Sequence, residues 1–200
     1  MSRRKKIADI KFDGMLAATF LTTIFYSATY PYIHREIMRA ASSSVIALVQ
    51  IMNCLSVVLF GWLWNRKSDT LFRFYPIYCV METLLGVCTT AYAITTGNIV
   101  PYYLIDCAFF ALITRNIICG GVKLRAIRYA TEAAREHFDN NNNSAAAVAT
   151  IIGSLIAMRL DLNFPAMLCV ATFGNAIDNA FYIGIYLSSR KKWNRDAPET

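Results

Sequence analysis

The sequence predicts an all-α integral membrane protein, a single bundle of six transmembrane helices with both termini in the cytoplasm. Charged residues make up only 16% of its 200 residues and apolar residues 56%, whereas soluble proteins carry about 25% charged residues. Apolar runs that approach the length needed to cross about 30 Å of hydrocarbon recur six times. Lysine and arginine gather on one side of these runs, which sets their orientation.

The six apolar runs define the predicted spans and one domain, residues 1–200. Helices are expected because an open sheet would leave backbone groups without partners in lipid. The strands of a barrel would instead alternate in hydrophobicity over about ten residues. The predicted spans cover approximately residues 12–33, 43–64, 71–96, 99–118, 144–158 and 164–187.

The distribution of positive charge predicts the topology. Seventeen of the 20 lysines and arginines lie at the N-terminus, after the second span, around the end of the fourth span or in the C-terminal tail. Only Arg35, Arg39 and Arg159 fall on the other side. Cytoplasmic loops carry such an excess, so we expect a multi-pass protein of the cell (plasma or inner) membrane. The same rule accounts for the net charge of +7 without a nucleic-acid partner.

Two further patterns exclude simpler interpretations. The N-terminal apolar run is too long for a cleaved signal peptide, and no small-residue cleavage site follows it. The cysteines contain no C-x-x-C pair, so we predict no disulfide framework, metal site or cofactor and interpret them as small apolar fillers. They are Cys54, Cys79, Cys88, Cys107, Cys119 and Cys169.

The connections between spans are short, and we therefore do not predict an enzyme. The longest connection follows the fourth span. Residues 123–138 predict an amphipathic helix, and the asparagine run 140–143 predicts a break after it. Asn143 or Ser144 would then cap the fifth span.

Small residues recur every four positions in the fifth span and form a small-residue seam, which lets helix backbones approach closely in membranes. We expect either a packing seam within one chain or a contact between two protein halves. The seam consists of Ala145, Ala149, Gly153 and Ala157.

Polar residues within the spans are the candidates for substrate binding or coupling. An isolated carboxylate is costly in lipid, so Glu82, Asp106 and Asp178 should face a cavity or a partner. The structural alternative is that they hydrogen-bond to neighbouring helices. The full set is Asn53, Glu82, Asp106, Arg115, Asn175 and Asp178, with Asn179 beside them.

Aromatic residues cluster toward the outer ends of the spans, where an interfacial belt is the main interpretation. A stacking site for an aromatic solute is the alternative. His34 and His137 fall in predicted loops and are expected to be solvated. The aromatic residues are Tyr26, Tyr30, Tyr32, Tyr102 and Tyr103.

Two motifs resemble the major facilitator superfamily. The end of the second span, residues 61–67, reads Gly-Trp-Leu-Trp-Asn-Arg-Lys. It resembles the family's G-x-L-x-D-R signature, with Asn65 in place of aspartate. In the fourth span, Arg115 followed by Cys119 and Gly121 resembles R-x-x-x-G-x-G, with cysteine in place of the first glycine.

The resemblance implies one six-helix half of a twelve-helix transporter whose halves meet around the substrate. It implies a gating loop at Gly61, Asn65 and Arg66, and a coupling or positioning role for Arg115. We expect transport of a small solute by a parallel homodimer, or a heterodimer with a second half-size chain. Two alternatives stay open: a substrate-binding subunit of a larger transporter, and a membrane interaction or immunity protein that transports nothing.

Overall fold

The computed structural model describes residues 13–159 and 163–196, apart from the side chains of residues 106–111 and 191–196. This part of the chain is almost entirely helical, and the predicted all-α class is confirmed. The elements are α1 (Gly14–Ala40), α2 (Ser43–Arg73), α3 (Tyr75–Thr96), α4 (Ile99–Phe109), a π-helical turn (Phe110–Thr114), α5 (Arg115–Arg128), α6 (Glu132–Arg159) and α7 (Phe164–Asp196).

Short polar residues fix where the helices begin. Each places a side-chain oxygen where it accepts a backbone N–H of the first turn, which otherwise has no partner. Asp13 accepts the N–H of Met15 at 2.9 Å. Equivalent bonds form at Ser42 for α2, Asn98 for α4, Thr131 for α6 and Asn163 for α7.

Three helices in the described residues are long and apolar enough to cross a membrane: α2, α3 and residues 164–190 of α7. Their outward side chains are mostly aliphatic, as on Leu55, Val58 and Leu84. A soluble protein rarely exposes so large a contiguous apolar surface. These three helices support the membrane association that the composition predicts.

The elements form six rods in the described residues, because α4, the π turn and α5 join into one. In the principal pairs, α1 packs against α6 and α7, and the α4–α5 rod packs against α2 and α3. In addition, α3 packs against α7, α5 meets α7, and α1 meets α4. If the first, second and third rods trade places with the fourth, fifth and sixth, in that order, the principal pairs stay the same.

Successive rods run in opposite directions between two ends of the bundle. One of these ends carries several lysines and arginines and is called the basic end. There, Lys123 of α5 pairs with Asp69 of α2, and Arg128 of α5 lies 3.5 Å from Asp13. Tyr129 donates a hydrogen bond to Asp13. Burial, with this hydrogen bond, raises the pKa of the Tyr129 hydroxyl, which therefore stays protonated and donating. The starts of α1 and α6 and the ends of α2, α5 and α7 meet here.

The small-residue seam of α6 packs against α1 of the same chain. Ala149, Gly153 and Ala157 are buried, and Ala145 is half-buried. A Cβ built on Gly153 would lie 2.6 Å from the carbonyl oxygen of Ile24. The seam is thus covered by α1 and is not open to a second copy, contrary to its predicted alternative use as a contact between copies.

Several predicted boundaries are wrong because helices continue through segments that contact other helices. His34 lies inside α1, which reaches Ala40, and is not in a loop. The predicted gating loop is helical, since α2 runs to Arg73 with only a kink at Lys67. Buried Phe72 holds this extension by packing against Tyr186 of α7.

The asparagine run does not break the chain either, since residues 140–143 lie within α6. Phe138 is buried there and stacks on Tyr129 at 4.6 Å, so packing overrides the weak helix propensity of asparagine. The break falls earlier, at residues 129–131, and interrupts the amphipathic helix predicted over 123–138. His137 lies in α6 and contacts Asn141.

We predict that Gly153→Ala lowers the free energy of unfolding by about 1–3 kcal/mol, because a methyl group has no room between α6 and α1. Gly184→Ala is the control, since a Cβ there meets nothing within 4 Å. It should be neutral or slightly stabilising. Reversible unfolding in mixed micelles measures both, and equal stabilities of the two variants would contradict the tight α1–α6 contact.

Candidate functional site

A polar cluster occupies the bundle interior, with Glu82 of α3 at its centre. Asn179 of α7 donates from Nδ2 to Glu82 Oε2 at 2.8 Å and to Thr83 Oγ1 at 3.1 Å. The hydroxyl of Thr114, in the π turn, donates to Glu82 Oε1. Both carboxylate oxygens therefore have partners, which offsets the cost of placing a charge among apolar helices.

The cluster extends from α7 to α1 through Asp178. Thr22 donates its hydroxyl to Asp178 Oδ1 at 2.8 Å. Asp178 and Asn179 are adjacent on α7, so their side chains diverge toward α1 and α3. Glu82 is also close enough to interact electrostatically with Asp178. The result is two acidic groups held between four rods of the bundle.

Several buried polar atoms have no hydrogen-bond partner among the described residues. Asn179 is only 2% exposed, yet its Oδ1 accepts no hydrogen bond from them. The Nε of Arg115, one residue after the π turn, is also buried without such a partner. The Oδ1 of Asn179, whose Nδ2 binds Glu82, is thus available to accept from an exchangeable ligand or from water.

The π turn explains how Thr114 reaches Glu82. Residues 110–114 widen the helix between α4 and α5, and such single π turns occur frequently at functional sites. Asn116 follows it and accepts a hydrogen bond at 2.8 Å from the indole N–H of Trp64 in α2. The turn and the residues after it thus join the α4–α5 rod to both α2 and α3.

The glycine pair after Arg115 also has a structural role. A Cβ on Gly120 would lie 2.1 Å from the ring of Tyr75, whereas one on Gly121 would make only ordinary contacts. The close approach of α5 to α3 therefore depends on Gly120, whereas the motif resemblance assigned its glycine to position 121.

The structure brings together some of the predicted site residues and not others. Glu82 and Asp178 meet in the polar cluster, and Arg115 begins the helix that follows Thr114. Asn53 and Asn175 are half-buried and make no side-chain hydrogen bond among the described residues. Asp106 belongs to α4, but its side chain lies outside the described residues.

The residues predicted for gating lie on the surface of α2 near the basic end. Gly61 is half-buried, and Asn65 and Arg66 are exposed. The guanidinium of Arg66 lies 4.4 Å from the centre of the Trp62 ring. Near these residues, the ion pair of Asp69 and Lys123 links α2 to α5, and the motif resemblance does not include it.

Four residues of this region are absent from the predicted site: Thr22, Thr83, Thr114 and Asn116. Hydroxyl groups within apolar spans are a weak signal because most of them bond to their own helix, as Thr89 does to Leu85. Only a short distance to a polar group on another helix distinguishes these residues, and that distance depends on the fold. No group of three His, Cys, Asp or Glu side chains suited to a metal ion occurs in the described residues.

Comparison with known proteins finds no matching family model, no matching curated protein and no matching solved structure.

We predict that Asn179→Ala lowers the free energy of unfolding by about 1–3 kcal/mol, because Glu82 and Thr83 lose a buried donor. The matched control is Asn175→Ala, one turn earlier on the same helix. Because the Asn175 side chain makes no hydrogen bond among the described residues, this variant should change the free energy of unfolding by less than about 0.5 kcal/mol. Unfolding in mixed micelles compares them, and equal losses would show that the cluster contributes nothing specific.

Proposed function

We propose that this protein is half of a secondary transporter and moves a small solute across the cell membrane by alternating access. In this proposal all six rods cross the bilayer, the basic end faces the cytoplasm, and two copies in parallel orientation form the complete transporter. A second half-size chain could replace the second copy. The observation that carries the proposal is the polar cluster, which lies where the two sets of three rods meet.

The pairing of the rods supports this reading. Each rod of the first set runs in the opposite direction to the rod three places later in the chain. The two sets of three rods therefore have the arrangement of inverted triplets. Transporters are commonly built from inverted repeats, and their solute and ion sites lie at the repeat interface beside interrupted helices. Here the cluster draws on the first and third rods of each triplet, and the π turn interrupts one of them.

The motif resemblance to the major facilitator superfamily agrees with this proposal, since each half of such a transporter contains nested inverted triplets. Within the proposal, Arg115 positions the α4–α5 rod and its unbonded Nε is available for coupling. Inner closure acts through the kink at Lys67 and the pair of Lys123 and Asp69, and not through a flexible loop.

The basic end supports the proposed orientation. Asp69, Lys123, Arg125 and Arg128 lie together there, where the excess of positive charge is expected to stay in the cytoplasm. Two copies joined in the membrane would share this orientation. The second copy must use a face other than the small-residue seam, because α1 covers that seam within the chain.

A comparison of small molecules in cells and medium tests the proposed transport. Cells that express the wild type should change the distribution of at least one solute several-fold against cells with an empty vector. Asp178→Asn should abolish that change, since the amide keeps an oxygen that accepts from Thr22 but removes the negative charge. Mass spectrometry of both compartments gives the distribution.

Asp139→Asn is the control, because that carboxylate is exposed at the basic end, outside the polar cluster. It should transport as the wild type does at equal amounts in the membrane. Unchanged solute profiles with the folded, inserted wild type would contradict transport and favour the non-transporting interaction protein. Equal loss in both carboxylate variants would remove the polar cluster from the mechanism.

A further inference from the structure

We propose that a groove beside α7 binds one anionic phospholipid, with the headgroup phosphate at Arg128 and an acyl chain over Gly184. The inference goes beyond transport. It uses only two parts of the proposal above, namely that α7 crosses the bilayer and that the basic end faces the cytoplasm. The groove has a volume of about 470 Å³. It is lined by Arg128 of α5 and by Ala180, Phe181, Gly184, Ile185 and Ser188 of α7.

The absence of a side chain at Gly184 opens the groove. Gly184 is exposed, and a Cβ built on it would meet nothing within 4 Å. Ser188, one turn later, is also exposed, but its hydroxyl donates to the carbonyl of Ile185 at 2.8 Å and so turns back to its own helix. The side chain of Ile185 is buried against the start of α1, 3.6 Å from where a Cβ on Gly14 would lie. The groove therefore has a closed apolar floor and an open side.

The lining changes from apolar to polar along α7. Ala180 and Phe181 are the residues nearest the bundle centre, and Ser188 lies toward the basic end, where Arg128 completes the groove. Ala180 and Ser188 are eight residues, or about 12 Å, apart along the helix axis. A phospholipid of the cytoplasmic leaflet has the same order, because its chains point to the membrane centre and its headgroup lies at the surface. The groove thus matches a lipid in both direction and polarity.

The apolar part of the groove suits an acyl chain better than water. Residues 164–190 of α7 form one of the three helices suited to cross a membrane, so its exposed side faces lipid. Alanine, phenylalanine and glycine side chains offer water no hydrogen bonds. A chain laid over Gly184 instead makes the dispersion contacts that an unfilled groove loses.

Arg128 supplies the group that recognises a phosphate. Its Nε lies 3.5 Å from Asp13, whereas a full charge-assisted hydrogen bond measures about 2.7–2.9 Å. Asp13 also accepts from the Met15 N–H and the Tyr129 hydroxyl. The guanidinium has five N–H donors, and its side chain is 34% exposed in the groove, so it can bind a second anion.

The charge around Arg128 favours an anionic lipid over a neutral one. The two neighbouring cations of α5 are paired, Lys123 with Asp69 and Arg125 with Asp139. Across the whole sequence, this side of the predicted spans carries seventeen lysines and arginines against eight aspartates and glutamates. The excess positive charge attracts the negative headgroups of the cytoplasmic leaflet.

Native mass spectrometry of the full chain tests the proposal, with the protein purified in detergent and titrated with dioleoyl phosphatidylglycerol. Dioleoyl phosphatidylcholine is the comparison, since it has the same chains and a phosphate but no net charge. One phosphatidylglycerol should bind saturably and at least about tenfold more tightly than phosphatidylcholine.

Two variants remove the two parts of the site. Gly184→Leu fills the groove and leaves the pair of Arg128 and Asp13 intact, and it should weaken phosphatidylglycerol binding about tenfold. Arg128→Gln removes the cation, and it should bring the affinities for the two lipids within about threefold of each other. A structural defect alone would not equalise the two lipids.

Matched controls lie on α2. A Cβ on Gly61 also meets nothing within 4 Å, and Arg66 is another exposed arginine near the basic end. Gly61→Leu and Arg66→Gln should each bind phosphatidylglycerol within about twofold of the wild type. Size-exclusion profiles establish that each variant is folded.

No saturable binding, equal wild-type affinities for the two lipids, or equal losses in the α2 variants would overturn the inference. Displacement of the lipid by equimolar glycerophosphoglycerol, the same headgroup without chains, would also overturn it, because Arg128 would then bind a free phosphate ester alone. Loss of dimers in Gly184→Leu with unchanged lipid binding would assign the groove to a second copy.

Lipid binding needs no transport, so the two proposals fail separately. Saturable phosphatidylglycerol binding with unchanged cellular solute profiles would remove the transport function and keep this site. Transport without any preference for the anionic lipid would do the reverse.

Discussion

The pair of hydrogen bonds from Asn179 to Glu82 and Thr83 is the interaction on which the interior of this bundle depends. Helices in lipid gain no hydrophobic free energy by meeting one another, so packing and interhelical hydrogen bonds hold them together. Asn179 fixes α7 against α3, and its neighbour Asp178 is thereby directed to Thr22 of α1. Close contact at Gly153 then sets α6 against α1.

The same interaction places the acidic groups at the centre of the rod pairing. If Glu82 were only a structural acceptor, an uncharged side chain would serve with less desolvation. A carboxylate beside a second carboxylate, with one unbonded amide oxygen between rods, is instead suited to holding and releasing a positive charge. The proposed transport rests on this electrostatic asymmetry.

The sequence alone predicted the all-α class of the protein and pointed to the acidic groups in its interior. Long apolar runs predicted helices in the right segments, and the rarity of charge within them singled out Glu82 and Asp178, together with Asp106, whose side chain lies outside the described residues. It was insufficient for helix ends, since α2 and α6 continue through Asn65 and residues 140–143 by packing Phe72 and Phe138. Thr22 and Thr114 became visible only through the fold, because hydroxyl groups are common in such spans and their partners lie on distant segments.

The direct test of the central claim is cysteine crosslinking in native membranes, in a background from which the native cysteines are removed. If two parallel copies enclose a cavity lined by α1, Tyr30→Cys, at an exposed position of α1, should join two copies through a short bifunctional reagent. Leu84→Cys, exposed on α3, which does not pack against α1, should stay monomeric. Crosslinking only at position 84, or at neither position, would contradict the paired transporter.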